Sequence, residues 1–313
     1  MHDEDETGGG RVTLARVAKE AGVSMPTVSK VLNGRTDVSR ATRAKVVRLL
    51  DVHGYRRRAQ PSSRSPLIDI VFHELESIWA MELIRGVENV AKENRATVVL
   101  TESGTRHTPA PEWLPGLLRR RPLGVVLVCS SLPGDIKRRL RAAAIPFAVI
   151  DPAGDADPDV PSVGSANWAG GLAATRHLTG LGDRRVAIIT GPKVQRGFAH
   201  AMELLEGPER PTAVFAGSDL QALGVLEAAR VKGLRVPEDL SVVGYDDVPP
   251  GQWSSPPLTM VHQPLRHMAE EAARMLLRPD DPGTAAQRIE LATQLVVRQS
   301  TARLEDEGAA ADR

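Results

Sequence analysis

Val12–Tyr55 reads VTLARVAKEAGVSMPTVSKVLNGRTDVSRATRAKVVRLLDVHGY, and its periodicity decides what the N-terminal part of the chain is. Leu14, Val17, Ala18 and Ala21 recur at i, i+3, i+4 and i+7, one apolar helix face, with Thr13 as its N-cap. Gly22-Val23 breaks the pattern and Ser24 offers a second cap. In the next helix Val28, Val31 and Leu32 share a face, while Met25, Pro26, Ser29 and Lys30 point elsewhere. Pro26 is tolerated because first-turn amides have no intrahelical partner. Asn33-Gly34 ends that helix, and Ser39 caps a third with Val46, Leu49 and Leu50 inward. Two short helices across a glycine-containing turn form a helix-turn-helix. The small, polar, partly basic outer face of the second suits a DNA major groove.

Charge supports that reading over a plain three-helix packing unit. Residues 11–66 carry thirteen Lys/Arg against three acids, whereas residues 67–313 carry 27 basic and 32 acidic side chains. The formal net charge of +1 therefore conceals a cationic module on an anionic body. Phosphate backbones attract the first and repel most of the second.

The pattern V-T-L-x-x-V-A-x-x-A-G-V-S-x-x-T-V-S-x-V-L-N-G, followed by V-S-x-x-T-R-x-x-V and G-Y, resembles the DNA-binding headpiece of the lactose-repressor (LacI) family. The resemblance implies a sequence-specific transcriptional regulator, expected to be a repressor, that binds a two-fold operator as a homodimer. Met25, Pro26 and Lys30 would then face base edges. Pro26 cannot donate, so readout there is apolar or by shape, whereas Lys30 can donate to guanine. Ser24, Thr27, Ser29, Ser39 and Thr42 would fix phosphates. Thr13, Asn33, Arg35, Tyr55, Arg56 and Arg57 complete the candidate DNA-binding set. Ser24 and Ser39 serve as helix caps under either reading.

The rest of the composition sets bounds. No run of about 18 apolar residues appears, so no transmembrane helix is expected. Residues 1–10, MHDEDETGGG, read as a disordered acidic leader and not a secretory signal. The one cysteine, Cys129, follows the apolar run Val125–Val128 and reads as a buried thiol in a reducing cytoplasm. No metal site, cofactor motif or nucleophile motif is recognisable, so the chain does not read as an enzyme.

Residues 56–66, RRRAQPSSRSP, form a basic linker with two prolines. Family members place a short hinge helix here, with an apolar wedge for the minor groove. This span is shorter and holds no Leu, Ile or Met. Phosphate and minor-groove contacts by Arg56–Arg58 and a plain solvated tether are both open.

From Leu67 the grammar changes to alternating strands and helices, which predicts an α/β core (67–303) of two doubly wound parallel-sheet subdomains. The runs are LIDIVF, a helix over Glu82–Glu93, ATVVLTE, a helix over Trp113–Arg120, GVVLVCS, a helix over Leu132–Ala143 and PFAVID. A second series follows: Trp168–Leu181, RVAIITG, Gln195–Leu205, TAVFAG, Asp219–Lys232, DLSVVGYDD, PPLTMVHQP, Leu265–Leu277 and one late strand, IELATQLVV. Residues 304–313 read as a disordered tail. Dimer contacts are expected on apolar faces of core helices, for instance around Leu83–Val90, with no C-terminal coiled coil for a tetramer.

Ligands in open α/β sheets bind beyond the carboxyl ends of strands. That rule selects His73, Glu74, Ser130, Ser131, Asp151, Gly191, Ser218, Asp219, Asp246 and Asp247. Ser218 and Asp219 also read as a helix cap. The segments D-P-A-G, V-x-x-x-N-x-x-G-G-x-x-A-T-R-H-L, R-R-V-A-I-I-T-G-P, P-T-A-V-F-A-G-S-D-L-Q-A-L-G and P-E-D-L-S-V-V-G-Y-D-D resemble the periplasmic-binding-protein-like effector core of the same family. The resemblance implies a small, sugar-like effector whose hydroxyls pair with carboxylates at Asp151 and Asp246. The candidate effector set is His73, Trp79, Ser130, Asp151, Asn167, Ser218, Asp246 and Gln263. Trp79 reads as a stacking aromatic or as core.

Two departures stand out. Ser218 replaces a usual Asn, and GPK runs directly into VQRGFAHAMELL, omitting a helix–strand unit and the ligand-gripping Arg that members carry there. A second subdomain lacking one strand and one pocket wall is expected, with Arg196 either standing in for that Arg or solvated. A constitutive DNA binder without an effector is the alternative this raises.

Overall fold

The computed structural model describes residues 14–32, 38–53, 64–73, 75, 78–104, 111–129, 131–152, 154, 157–190, 194–278 and 286–304. They belong to two compact units, Met1–Ser63 and Arg64–Arg313.

The first unit is three helices, α1 (Leu14–Ala21), α2 (Met25–Leu32) and α3 (Arg40–Val52). Val17, Ala18, Ala21, Val28, Val31, Val46 and Leu50 bury against one another, with Leu14, Val23, Val38 and Leu49 at the margin. The predicted inward faces thus meet in one small core. The side chain of Leu32, placed on the inward face, lies outside the described residues, as does the cap assigned to Thr13. Gly22 turns the chain between α1 and α2 at φ +69°, a left-handed conformation that L side chains adopt only with strain. His53, just past α3, meets the Glu20 carboxylate at 2.5 Å, and Arg16 donates to Glu20 at 3.1 Å. The His53 hydrogen bond, then that of Arg16, holds Glu20 below the usual carboxylate range.

The second unit begins with β1 (Leu67–Phe72), α4 (Ile78–Glu93), β2 (Thr97–Glu102), a 3-10 turn at Pro111–Trp113, α5 (Leu114–Arg120), β3 (Gly124–Val128), α6 (Gly134–Ala142), β4 (Phe147–Ile150) and β5 (Ser162–Ser165). It continues with α7 (Asn167–Gly180), β6 (Val186–Ile189), α8 (Val194–Glu206), β7 (Ala213–Ala216), α9 (Asp219–Val231), β8 (Ser241–Asp246), α10 (Pro249–Gln252), β9 (Thr259–His262), α11 (Leu265–Leu277), β10 (Arg288–Leu291) and β11 (Gln294–Val296). The strands form two sheets, ordered β10-β5-β4-β3-β1-β2 and β11-β9-β8-β7-β6. All pairings in the first sheet are parallel. In the second, β11 runs antiparallel against β9 and the rest are parallel.

IELATQLVV is not one strand. It divides into β10 in the first sheet and β11 in the second, so the chain changes lobe at residues 292–293. It also changes lobe between β5 and β6, and again between β9 and β10 with α11 packed on the first lobe. The short SVGS strand, β5, was not predicted. α4 begins earlier than expected, at Ile78.

Leu83, Val87 and Val90 of α4, expected at a dimer contact, are fully buried in a core shared with Met268, Ala269, Ala272 and Leu276 of α11. Their apolar surface is already used within the chain. The outward hydrophobics of α4 are Ile78 and Met81. Leu304, assigned to the disordered tail, donates its backbone N–H to Leu181 O at 2.9 Å.

Among the described residues the second sheet has five strands and the first six, and β6 is the edge of the second. A single helix, α8, connects β6 to β7. Gly197 lets α8 approach α9 closely: a Cβ there would sit 2.7 Å from the Gln221 backbone. On the opposite face of β6, Ile188 is 62% exposed.

Candidate functional site

Each unit carries its own candidate site. In the first, Ser24 Oγ accepts from the Thr27 N–H at 3.4 Å and pairs with the Thr27 hydroxyl at 2.9 Å. Ser39 Oγ accepts from the Thr42 N–H at 3.2 Å and donates to the Thr42 hydroxyl at 2.8 Å. Both serines are therefore caps, as predicted. Ser24, Met25, Pro26, Ser29 and Lys30 lie exposed along α2 opposite Val28 and Val31, with Thr27 half-buried. Met25 exposes 51% of its surface, a protruding apolar group among small polar ones. Arg40, Arg43 and Arg48 line a shallow groove along α3 with Ala44 and Val47. Thr13, Asn33, Arg35, Tyr55, Arg56 and Arg57 lie outside the described residues, as does Arg58.

In the second unit, seven of the predicted effector residues line one cavity of about 470 Å³ between the lobes: His73, Trp79, Asp151, Asn167, Ser218, Asp246 and Gln263. Ser130, Glu74 and Gly191 lie outside the described residues, and so does the side chain of Arg196. Asp151 follows β4, Asp246 ends β8 and Ser218 caps α9, accepting from the Gln221 N–H at 3.3 Å. Trp79, on the first turn of α4, is half-buried: it packs on the first lobe's core and faces the cavity, so it serves both readings.

Asn167, at the start of α7, joins the lobes. Its Oδ1 accepts from Ser165 Oγ at 2.8 Å in the first lobe and from Tyr245 Oη at 2.7 Å in the second. Its Nδ2 reaches Asp151 Oδ1 at 3.4 Å. Gln263 Nε2 donates to Asp246 Oδ1 at 3.1 Å. Asp219, which also lines the cavity, accepts the backbone N–H groups of Asp247 and Val248. Asp247 faces away from the cavity, between Arg298 at 2.8 Å and His262 at 3.3 Å. Ser131 is not among the lining residues.

Burial raises the pKa values of these carboxyls. Asp151 rises through loss of water, with the Asn167 bond opposing it. Burial pushes Asp219 up to about 7 against the pull of its two backbone donors. Asp246 rises well above the ordinary carboxylate range, from burial first and then the neighbouring Asp219 and Asp151 charges. Three of the six non-glycine residues with positive φ among the described residues are Asp151, Asp246 and Asp247. Backbone outliers of this kind cluster at ligand sites. Cys129 lines the cavity floor, and burial pushes its thiol up to about 12, so it is inert.

Tyr245, Phe215, Ile188 and Thr190 also line the cavity and were not foreseen. Tyr245 had a signal: it precedes Asp246 in the G-Y-D-D motif. The others depend on how the second sheet lies against α7. Among the described residues no His, Cys, Asp and Glu side chains form a metal-ligand cluster. No described helix is long and apolar enough to cross a membrane.

Comparison with known proteins agrees with both halves. Residues 13–58 match the family model of bacterial regulatory proteins of the lacI family. Residues 65–199 match that of periplasmic binding proteins and the sugar binding domain of the LacI family, and residues 158–301 a periplasmic binding protein-like domain. The HTH-type transcriptional regulator MalR of Streptomyces coelicolor is 34% identical, covering 92% of this chain and 96% of its own length. That alignment spans 333 positions, more than this chain's 313 residues, so the relative carries residues this chain lacks. The HTH-type transcriptional repressor PurR of Vibrio vulnificus is 29% identical over 93% of this chain and 99% of its own. Among solved structures, the transcriptional regulator CelR in complex with cellobiose is 32% identical, with a TM-score of 0.68, covering 93% of this chain and all of that one. The lac repressor dimer bound to operator and an anti-inducer superposes with a TM-score of 0.73 at 26% identity, over 94% of this chain and all of that one. With a capped helix-turn-helix at one end and a two-lobed α/β core beyond it, the chain belongs to the LacI family of transcriptional regulators.

Proposed function

We propose that this protein is an operator-binding repressor released or tightened by a small polyhydroxylated molecule held between its lobes. The observation that carries the first half is the outward face of α2: Ser24, Met25, Pro26, Ser29 and Lys30 exposed together on a helix fixed from behind by Val28 and Val31. Met25 and Pro26 offer apolar contact to a thymine methyl, and Lys30 offers donors to guanine. Ser24, Thr27, Ser39 and Thr42 sit at two helix N-termini, where phosphate oxygens are favoured. Two protomers pair through their cores and set two headpieces on half-sites of fixed spacing, in the cytoplasm. Thr13, Asn33, Arg35, Tyr55, Arg56 and Arg57 extend the contact set.

The second half rests on the cavity. Cellobiose in one relative and ribose in another structure of the fold, a LacI-family regulator from Enterococcus faecium, indicate the ligand class. Asp151, Asp246 and Gln263 supply acceptors for hydroxyls, and Trp79 a flat apolar wall. Asn167 touches both lobes, so a ligand that displaces or tightens its bonds biases their closure. The ligand shifts operator affinity only through differential binding to two lobe arrangements.

A specific feature favours a second reading, an effector-independent DNA binder: β6 is an edge and Ile188 lies open to water at the cavity wall. Titration calorimetry with a panel of mono- and disaccharides, read beside operator affinity, separates the two. Heat together with a changed operator affinity supports the effector reading. Intact operator binding with no heat from any sugar supports the constitutive one.

A further inference from the structure

The headpiece carries more positive surface than the outward face of α2. Along α3, Arg40, Arg43 and Arg48 line a groove with Ala44 and Val47. These positions recur at i, i+3, i+4, i+7 and i+8, one helical stripe. It is not the buried stripe, which holds Val46 and Leu50. Val47 is 44% exposed on it, so the groove joins guanidinium groups to an apolar floor. Lys45, also exposed, flanks it. The candidate base-facing residues stand on α2, so this is a second cationic surface.

The sequence carries the complement. Residues 1–10, MHDEDETGGG, lie outside the described residues and contain Asp3, Glu4, Asp5 and Glu6, the longest unbroken run of acids in the chain. Residues 11–66 hold only three acids, and one of them, Glu20, is engaged by His53 and Arg16. The acidic run precedes Leu14, where α1 starts, by 8 to 11 residues. An extended chain of that length spans roughly 25–40 Å, against about 20 Å for the whole of α3, so the run can reach the groove. Gly8, Gly9 and Gly10 impose no steric preference on its direction. A tether this short holds the carboxylates at about millimolar effective concentration, where weak ion pairing is enough.

We propose that the acidic run of residues 3–6 docks in the α3 groove of its own headpiece, as a stand-in for phosphates that a duplex must displace. The inference rests on the DNA-binding reading and adds a built-in brake to it. Guanidinium groups of Arg40, Arg43 and Arg48 pair with the carboxylates as they would with phosphate oxygens. Each pair is exposed and weak, so a duplex with many phosphates wins the contest. Every duplex must displace the run, so the brake lowers affinity for operator and random DNA by the same factor, and salt releases it.

The test compares the full chain with a full chain carrying Asp3→Asn, Glu4→Gln, Asp5→Asn and Glu6→Gln. At low salt the neutralised chain should bind selected and random duplexes at least about threefold more tightly, and the gap should close as salt rises. Repulsion between the acids and DNA without docking would give the same sign, so docking is read separately. A zero-length carbodiimide joins carboxylates to amines in contact with them. Without DNA it should couple residues 3–6 to Lys45, and Arg40→Gln with Arg48→Gln should remove most of that product. Equal duplex affinities of the two chains at low salt would overturn the brake. Cross-links that fall on Lys19 or Lys30 instead of Lys45, or that survive unchanged in the arginine variant, would overturn docking in the groove. No duplex binding by either chain would remove the DNA-binding reading and the brake together.

Discussion

Gly22 and Asp219 show what single positions contribute. At φ +69° Gly22 sets the angle between α1 and α2, and a Cβ there meets open space, so strain alone sets the cost. Gly22→Ala should lower headpiece stability by about 1–2 kcal/mol, read as an earlier urea transition and weaker DNA binding; an unchanged transition would show that the turn is not under that constraint. Asp219 acts through its proton. Its folded pKa of about 7 lies above the ordinary 3.8, so between those values the folded chain holds a proton the unfolded chain releases. Stability should therefore fall as pH rises from about 4 to about 7 and level off beyond, with Asp151 and Asp246 adding in the same direction. Urea midpoints measured across that window check the sign, and Asp219→Asn should flatten the slope. A slope that rises instead would mean that the two backbone donors outweigh burial.

Elements were legible where side-chain period and burial agree. LIDIVF, GVVLV and FAVI are buried runs on a parallel sheet and stand where predicted, and the helix expected near Leu265–Leu277 is there. SVGS escaped because two serines and a glycine carry no strand signal; it is a strand because β4 and β10 pair with it on either side. IELATQLVV looked continuous because apolar residues recur across the lobe crossing, and nothing local marks where one sheet ends and the other begins. The site followed the same rule. Its strand-end polar residues were readable from position alone, whereas Ile188, Thr190 and Phe215 enter the cavity only through the packing of α7 against the second sheet. The contrast between α4 and β6 is measurable. Leu83→Ala, inside the α4–α11 core, should cost about 2–5 kcal/mol. Ile188→Ser, on an edge strand facing water, should change stability by no more than about 0.5 kcal/mol. Thermal unfolding of the pair checks this, and a large loss at Ile188 would mean that its face is covered in solution.

For the molecule as a whole, charge is divided by function. Residues 11–66 carry thirteen basic groups and three acids, and the core beyond them is net acidic. Such a division makes association with a polyanion steep in salt for the headpiece and unfavourable for the rest. On the proposed function, specificity then falls to the few exposed side chains of α2. The most direct measurement is fluorescence anisotropy with a duplex selected from a randomised library and an unselected control, repeated across salt concentration for the native chain and for Lys30→Ala. Affinity for both duplexes should fall steeply and linearly in log–log form as salt rises, and Lys30→Ala should narrow the gap between them by about 1–3 kcal/mol. A binding constant indifferent to salt, or no binding to any duplex at modest ionic strength, would contradict the proposed function.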